Sequence, residues 1–147
     1  MRKSIYAFGV CLAFAGFATA VGAEERVYDN GPVWDVASVQ TKPGHFNDYM
    51  KFISTTWRAE QEMLKKEGYV LDYKVFVVVD QRDNEPDVTL AVEYKDMAAY
   101  DLPLDKQDAM TKQMFGSMMG GDKSAIDRET YRTLRGDTLL RELVFKK

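Results

Sequence analysis

Two runs of residues, 69–79 (YVLDYKVFVVV) and 88–95 (VTLAVEYK), flank the polar loop 80–87 (DQRDNEPD). Both runs are rich in β-branched and aromatic residues, which suit a pleated, half-buried surface. A polar loop between two such runs predicts an antiparallel hairpin, and the alternation predicts its register. With Val79 opposite Val88, the residues Val77, Val75 and Tyr73 meet Leu90, Val92 and Tyr94 on one apolar face. The other face then pairs Val78 with Thr89, Phe76 with Ala91, Lys74 with Glu93 and Asp72 with Lys95, so both charged pairs carry opposite signs. A slip of one residue would exchange the two faces and lose both patterns.

The rest of the chain arranges itself around this hairpin. Residues 33–41 (VWDVASVQT) suit a first strand, which Pro43-Gly44 breaks. From His45 to Glu67 the apolar residues Phe46, Tyr49, Met50, Ile53, Trp57 and Leu64 recur at helical spacing, and Gly68 stands ready to stop the helix. After the hairpin, Asp96 can cap a helix and Pro103 interrupts it or starts a second segment. Ala109, Met110, Met114 and Phe115 give a helical stripe, and Gly116, Gly120 and Gly121 loosen the chain behind it. Residues 124–136 read as a further short helix with Ser124 as its cap and Gly136 as its end, and 138–146 as a last strand. The order β-α-β-β-α-β, with an extra short helix before the last strand, predicts an α+β, ferredoxin-like sandwich with an antiparallel sheet. Helices cover only one face of such a sheet, so a second copy is expected on the other.

The amino end carries a different signal. Arg2 and Lys3 precede an apolar stretch that ends in the small residues Val21-Gly22-Ala23, the pattern of a secretory signal peptide. Residues 1–23 are therefore read as an export signal, 24–32 as a flexible lead-in, and 33–147 as a single domain. The expected compartment is the periplasm or the exterior. Cys11, the only cysteine, falls inside the signal, which leaves no disulfide framework, thiol nucleophile or thiolate metal site in the domain. The net charge of −3 has no basic cluster to offset it, which argues against nucleic acid or an anionic membrane as the main partner.

The first strand running into KPGHFNDYMKF, the hairpin and the closing LLRELVFK resemble the dimeric α/β-barrel superfamily. That group includes the antibiotic-biosynthesis monooxygenase-like, stress-responsive barrel and NIPSNAP-like families. The resemblance spans residues 33–146 and lies in pattern and element order, without a catalytic signature. It implies a homodimer joined sheet to sheet, with a cavity between sheet and helices. Some members of the group are cofactor-independent oxygenases, and haem-handling members use a histidine on a helix near the cavity.

Individual residues carry two readings each. His45, the only histidine, can act as a base or a ligand, or it can simply begin a helix after Pro-Gly. It has no second histidine or cysteine beside it, and the plainer reading stands ahead. Asp35 and Arg141 place charges inside strand-like runs with no partner visible in the sequence. Trp34, Tyr49, Trp57, Tyr73 and Tyr94 supply aromatic lining or ordinary core. Met110, Met114 and Met118 lie four apart, a spacing for Cu(I) thioether ligation or for a buried helix face. GSMMGGDKS (116–124) approximates a phosphate loop, but Asp122 would repel the phosphate and no buried strand precedes it. The expected function is binding of a small apolar or aromatic molecule, with no metal or cofactor. The alternatives are a cofactor-independent oxygenase or isomerase, with His45 as base and Asp35 or a tyrosine polarising the substrate, and a copper-handling protein built on the methionines.

Overall fold

The computed structural model describes residues 25–147. The expected export signal and Cys11 lie outside the described residues. Four strands, β1 (Tyr28–Thr41), β2 (Val70–Val77), β3 (Val88–Tyr94) and β4 (Arg132–Phe145), form one antiparallel sheet in the order β2-β3-β1-β4. Between β1 and β2 runs a helix in three parts: α1 (Phe46–Phe52), a π-helical turn (Ile53–Trp57) and α2 (Arg58–Lys66). Three further helices, α3 (Met97–Tyr100), α4 (Leu104–Phe115) and α5 (Met118–Glu129), connect β3 to β4. This is the α+β architecture expected from the sequence.

Residues on β1 and β3 that face each other share a side of the sheet. Val33, Asp35, Ala37 and Val39 therefore point with Tyr94, Val92, Leu90 and Val88 toward the helices. Val39, Val88 and Leu90 pack with Tyr49 and Ile53 into one buried cluster; Val70, Val92, Leu64, Leu102 and Met110 form a second. Trp57 touches both clusters. The π-helical turn has a local cause. Ser54 and Thr55 both donate their hydroxyls to the Lys51 carbonyl, at 3.1 and 2.7 Å, and so compete with the helical ladder at that point.

The hairpin register differs from the expected one by two residues. Val77 faces Val88, Val75 faces Leu90, Lys74 faces Ala91 and Asp72 faces Glu93. Residues 72–77 keep their expected faces, but the opposite-charge pairs do not form. The reason lies on β1. The Asp87 carboxylate accepts hydrogen bonds from the Thr41 backbone N–H (2.8 Å) and hydroxyl, and the Asp87 N–H donates to the Val39 carbonyl (3.0 Å). Val78 N–H bonds the Asp87 carbonyl, and Val79 is left 99% exposed in the loop. The register shift between Val70 and Asp72 takes up the difference. The like charges of Asp72 and Glu93 are relieved in part by Lys65, 3.3 Å from Asp72.

Three further differences follow from tertiary packing. β1 begins at Tyr28, ahead of the expected Val33, because Tyr28–Asn30 pair with Leu143–Phe145. The helix expected over residues 124–136 instead spans Met118–Glu129 with Ser117 as cap, whose Oγ accepts from Gly120 N–H at 3.0 Å. β4 correspondingly starts at Arg132 rather than 138, and Gly136 lies inside the strand. Gly120 and Gly121 are not loosening elements. A Cβ on Gly120 would stand 2.3 Å from the Phe115 carbonyl oxygen, and one on Gly121 2.7 Å from Thr111 Cγ2. They let α5 start tightly against the end of α4.

Gly120→Ala is expected to destabilise the fold by about 1–3 kcal/mol, since the clash is with backbone. Gly136→Ala, which meets nothing within 4 Å, should cost less than about 0.5 kcal/mol. Urea denaturation of the two variants checks the difference.

Candidate functional site

The helix-facing side of the sheet carries charge where an apolar core would be expected. Asp35 projects there from β1, opposite Leu139 of β4, and Asp137 lies two residues along β4 opposite Ala37. The side chains of Asp35 and Asp137 thus sit on neighbouring strands of the same face, close enough for a hydrogen bond when one carboxyl is protonated. Burial, that bond and the like charge of Asp137 push the Asp35 carboxyl up to about 7. Such a pair holds one proton near neutrality and can accept or donate it.

On this side of the sheet lie two lobes that share lining residues; Asp137 lines the smaller and Asp35 lines neither. The larger, about 450 Å³, is lined by Leu64, Tyr94, Tyr100, Met110 and Met114. The smaller, about 250 Å³, is lined by Tyr49, Phe52, Trp57, Arg128, Arg132 and Asp137. Glu60 and Phe115 line both. Glu60 is raised above the usual carboxylate range by burial, with Arg128 pulling the other way. Tyr94 and Tyr100 stack edge to face, 5.3 Å between centroids. Burial and the Asp35 charge raise the Tyr94 hydroxyl, and the Asp35 charge is the leading influence on Tyr100. The two tyrosines therefore stand close to the carboxyl pair.

A β-bulge decides which side chains of β4 reach this space. Ser38 faces Gly136, but Val39 faces Leu134, so Arg135 is the extra residue. Before the bulge in the chain the helix-facing residues of β4 are Arg132 and Leu134; after it they are Asp137, Leu139 and Arg141. In an unbroken ladder Arg132 would have pointed to the opposite face.

The residues singled out in the sequence divide between three places. Tyr49, Trp57, Tyr94 and Asp35 lie on the cavity side, as does Tyr73, which contacts Trp57 edge to face at 5.4 Å and donates its hydroxyl to Glu62 at the margin. Trp34 is on the opposite face, where its Nε1 donates to Glu142 at 3.1 Å and Lys74 lies 5.7 Å from its ring centre. Arg141 is exposed and reaches the Gly31 carbonyl. His45 lines neither lobe; it is half exposed at the start of α1, with Nδ1 2.7 Å from Asp48. The methionine stripe is divided. Gly116, at φ +76°, ends α4, so Met110 and Met114 line the larger lobe while Met118 begins α5. Among the described residues no three His, Cys, Asp or Glu side chains converge on a metal position, and no helix is long and apolar enough to cross a membrane.

Glu60, Arg128, Arg132, Asp137 and Tyr100 were not legible as site residues. Glu60 did leave a signal: the apolar stripe Ile53, Trp57, Leu64 should include position 60 or 61, and both are polar. Asp137 and Arg132 were hidden by reading their segment as helix and loop.

The fold is similar to that of a solved structure, HapK from Hahella chejuensis. It is 9% identical, superposes with a TM-score of 0.53, and the match covers 78% of this chain and 96% of that one. The fold is ferredoxin-like. Two proteins from an uncultured marine organism, each described as a dimeric ferredoxin-like protein, are 18% and 12% identical with TM-scores of 0.47 and 0.49. Those matches cover 79% and 81% of this chain and 98% and 91% of theirs. No family model and no curated protein matches the sequence. The ferredoxin-like scaffold therefore leaves chemistry to be argued from the cavity.

Two outcomes are expected. Asp35 keeps its proton to about pH 7 when folded, against a value of 3.8 when unfolded. The folded chain binds the extra proton between those values, so the stability it contributes is present at the acid end and is lost as pH rises from about 4 to about 7. Asp35→Asn should remove that loss, and melts across this range should show the variant gaining on wild type as pH rises. Parallel curves would show that the two carboxyls do not share a proton. His45→Ala should cost less than about 1 kcal/mol, as exposed substitutions do, and a larger loss of melting temperature would place His45 in the core.

Proposed function

We propose that the chain is an exported, homodimeric binding domain that takes a small aromatic or apolar molecule in the cavity between sheet and helices. The observation that carries this reading is the pair of adjoining lobes, bordered by Trp57, Tyr49, Tyr94, Phe115 and Met114. Flat rings and pliable thioethers suit a planar apolar guest. The amino-terminal pattern of residues 1–23 supports export. The opposite face of the sheet supports the homodimer: Phe76, Leu140 and Val144 are each about half exposed beside Trp34, and no element of the described chain covers them.

The test of binding is titration with N-phenyl-1-naphthylamine, a neutral apolar fluorophore. Saturable enhancement with one site per chain is expected, and Met114→Trp, which fills the larger lobe, should abolish it without lowering the melting temperature. Enhancement that survives Met114→Trp would move binding out of the cavity.

A second reading, proton transfer as in an isomerase, is favoured by the Asp35 carboxyl held near 7. In it the base is the Asp35–Asp137 pair, with Tyr94 or Tyr100 polarising the substrate, and His45 has no part.

For the dimer, Leu140→Arg should halve the mass measured by light scattering at micromolar concentration while the fold persists. A wild-type chain that is already monomeric there would remove the sheet-to-sheet assembly.

A further inference from the structure

We infer that the smaller lobe binds a carboxylate, so that the preferred ligand is a small aromatic carboxylic acid whose anionic end meets Arg128 and Arg132. This rests on the cavity reading and adds the ligand's chemical class.

Two guanidinium groups converge on a lobe bordered by aromatic rings. Arg128 comes from the last turn of α5, lies 4.7 Å from the Phe52 ring centre and donates to Ser124 Oγ at 2.9 Å. Arg132 opens β4, is largely buried, and has Glu129 at 3.5 Å from one terminal nitrogen. Its Nε is buried and makes no hydrogen bond among the described residues. An unpaired buried donor on a charged group is costly, and because Nε itself is occluded, a carboxylate in the lobe pairs with the terminal nitrogens of the guanidinium groups. The charges of both arginines are felt at Tyr49, whose hydroxyl burial pushes up to about 12 against their pull. The two cations also oppose each other: burial and the charge of Arg132 lower Arg128. An anion between them relieves both effects.

The other charged groups facing the lobe set the ligand's orientation. Glu60 and Asp137 line it as well, and Asp137 is half of the carboxyl pair. They would repel a second anionic group, and they favour a hydroxyl or other hydrogen-bond donor at the far end of the ring. The lobe, at about 250 Å³, lies below the usual ~300–1,000 Å³ of ligand pockets and suits a single ring.

The experiment compares benzoate with benzamide, nearly the same shape with and without the charge, by amide and side-chain NMR titration of the full mature chain at pH 7. Benzoate is expected to bind roughly tenfold or more tightly and to shift the Arg128, Arg132 and Phe52 resonances. Arg132→Gln should reduce benzoate to about the level of benzamide, with a much smaller loss for benzamide. If Arg132→Gln does not fold, Arg132→Lys keeps the charge but removes Nε and the planar fork, and a several-fold loss is expected. Equal affinity for the two probes, benzoate shifts confined to surface lysines, no benzoate binding, or unchanged benzoate affinity in the folded arginine variant would each overturn the inference. If N-phenyl-1-naphthylamine still binds in that event, the cavity reading survives without the carboxylate; if it too fails, both fall.

Discussion

The long antiparallel pairing of β1 with β4, and the bulge within it, determine what this cavity contains. β1 is one of two inner strands, and its faces are matched to those of its neighbour β3, whose helix-facing residues are almost wholly apolar. Once Val33 and Val39 are committed to the core, Asp35 and Ala37 must point the same way. β4 then follows β1 residue by residue and brings Asp137 beside Asp35. The bulge at Arg135 changes the parity and delivers Arg132 to the same face, while Arg135 itself bonds Gln40. The acid pair and Arg132 thus share one face through one strand pairing and one extra residue, while Arg128 reaches the same lobe from α5.

This arrangement gives the cavity two unlike ends. Near Asp35, Asp137 and Glu60, burial raises carboxyls and favours their protonated forms. At the other end, the guanidinium groups of Arg128 and Arg132 face a space bordered by Tyr49 and Phe52. A ferredoxin-like sheet covered on one side separates this chemistry from association. The helix side holds the cavity; the open side holds Trp34, Phe76 and Leu140 with the charged set Lys74, Glu93 and Glu142. A change on the open face need not disturb the lobes, because the sheet lies between them.

The hairpin shows how a local rule can be right about faces and wrong about partners. Alternation assigned the side chains of residues 72–77 and 88–94 to their sides, because a strand has a period of two whatever it pairs with. It could not assign the partners, because a shift by two keeps both faces intact. Asp87 made the choice through Thr41 and Val39, residues some 46 positions earlier in the chain. The same distinction governs the glycines. Gly120 and Gly121 look like flexible punctuation locally, yet close contact with Phe115 and Thr111 requires them.

The element order, the helical stripe ending at Leu64, the strand faces, the Asp96 cap and the oddity of Asp35 within a strand were determined by the sequence itself, since each depends on periodicity or on neighbours within a few residues. The partner of Asp35, the meeting of Arg128 with Arg132, the exclusion of His45 from the lobes and the parting of Met118 from Met114 were decided only by the tertiary structure. Each depends on strand register, on a bulge, or on where a helix breaks. Those features are set by contacts between segments far apart in the chain, where a shift of one or two residues costs little locally and changes which side chains meet.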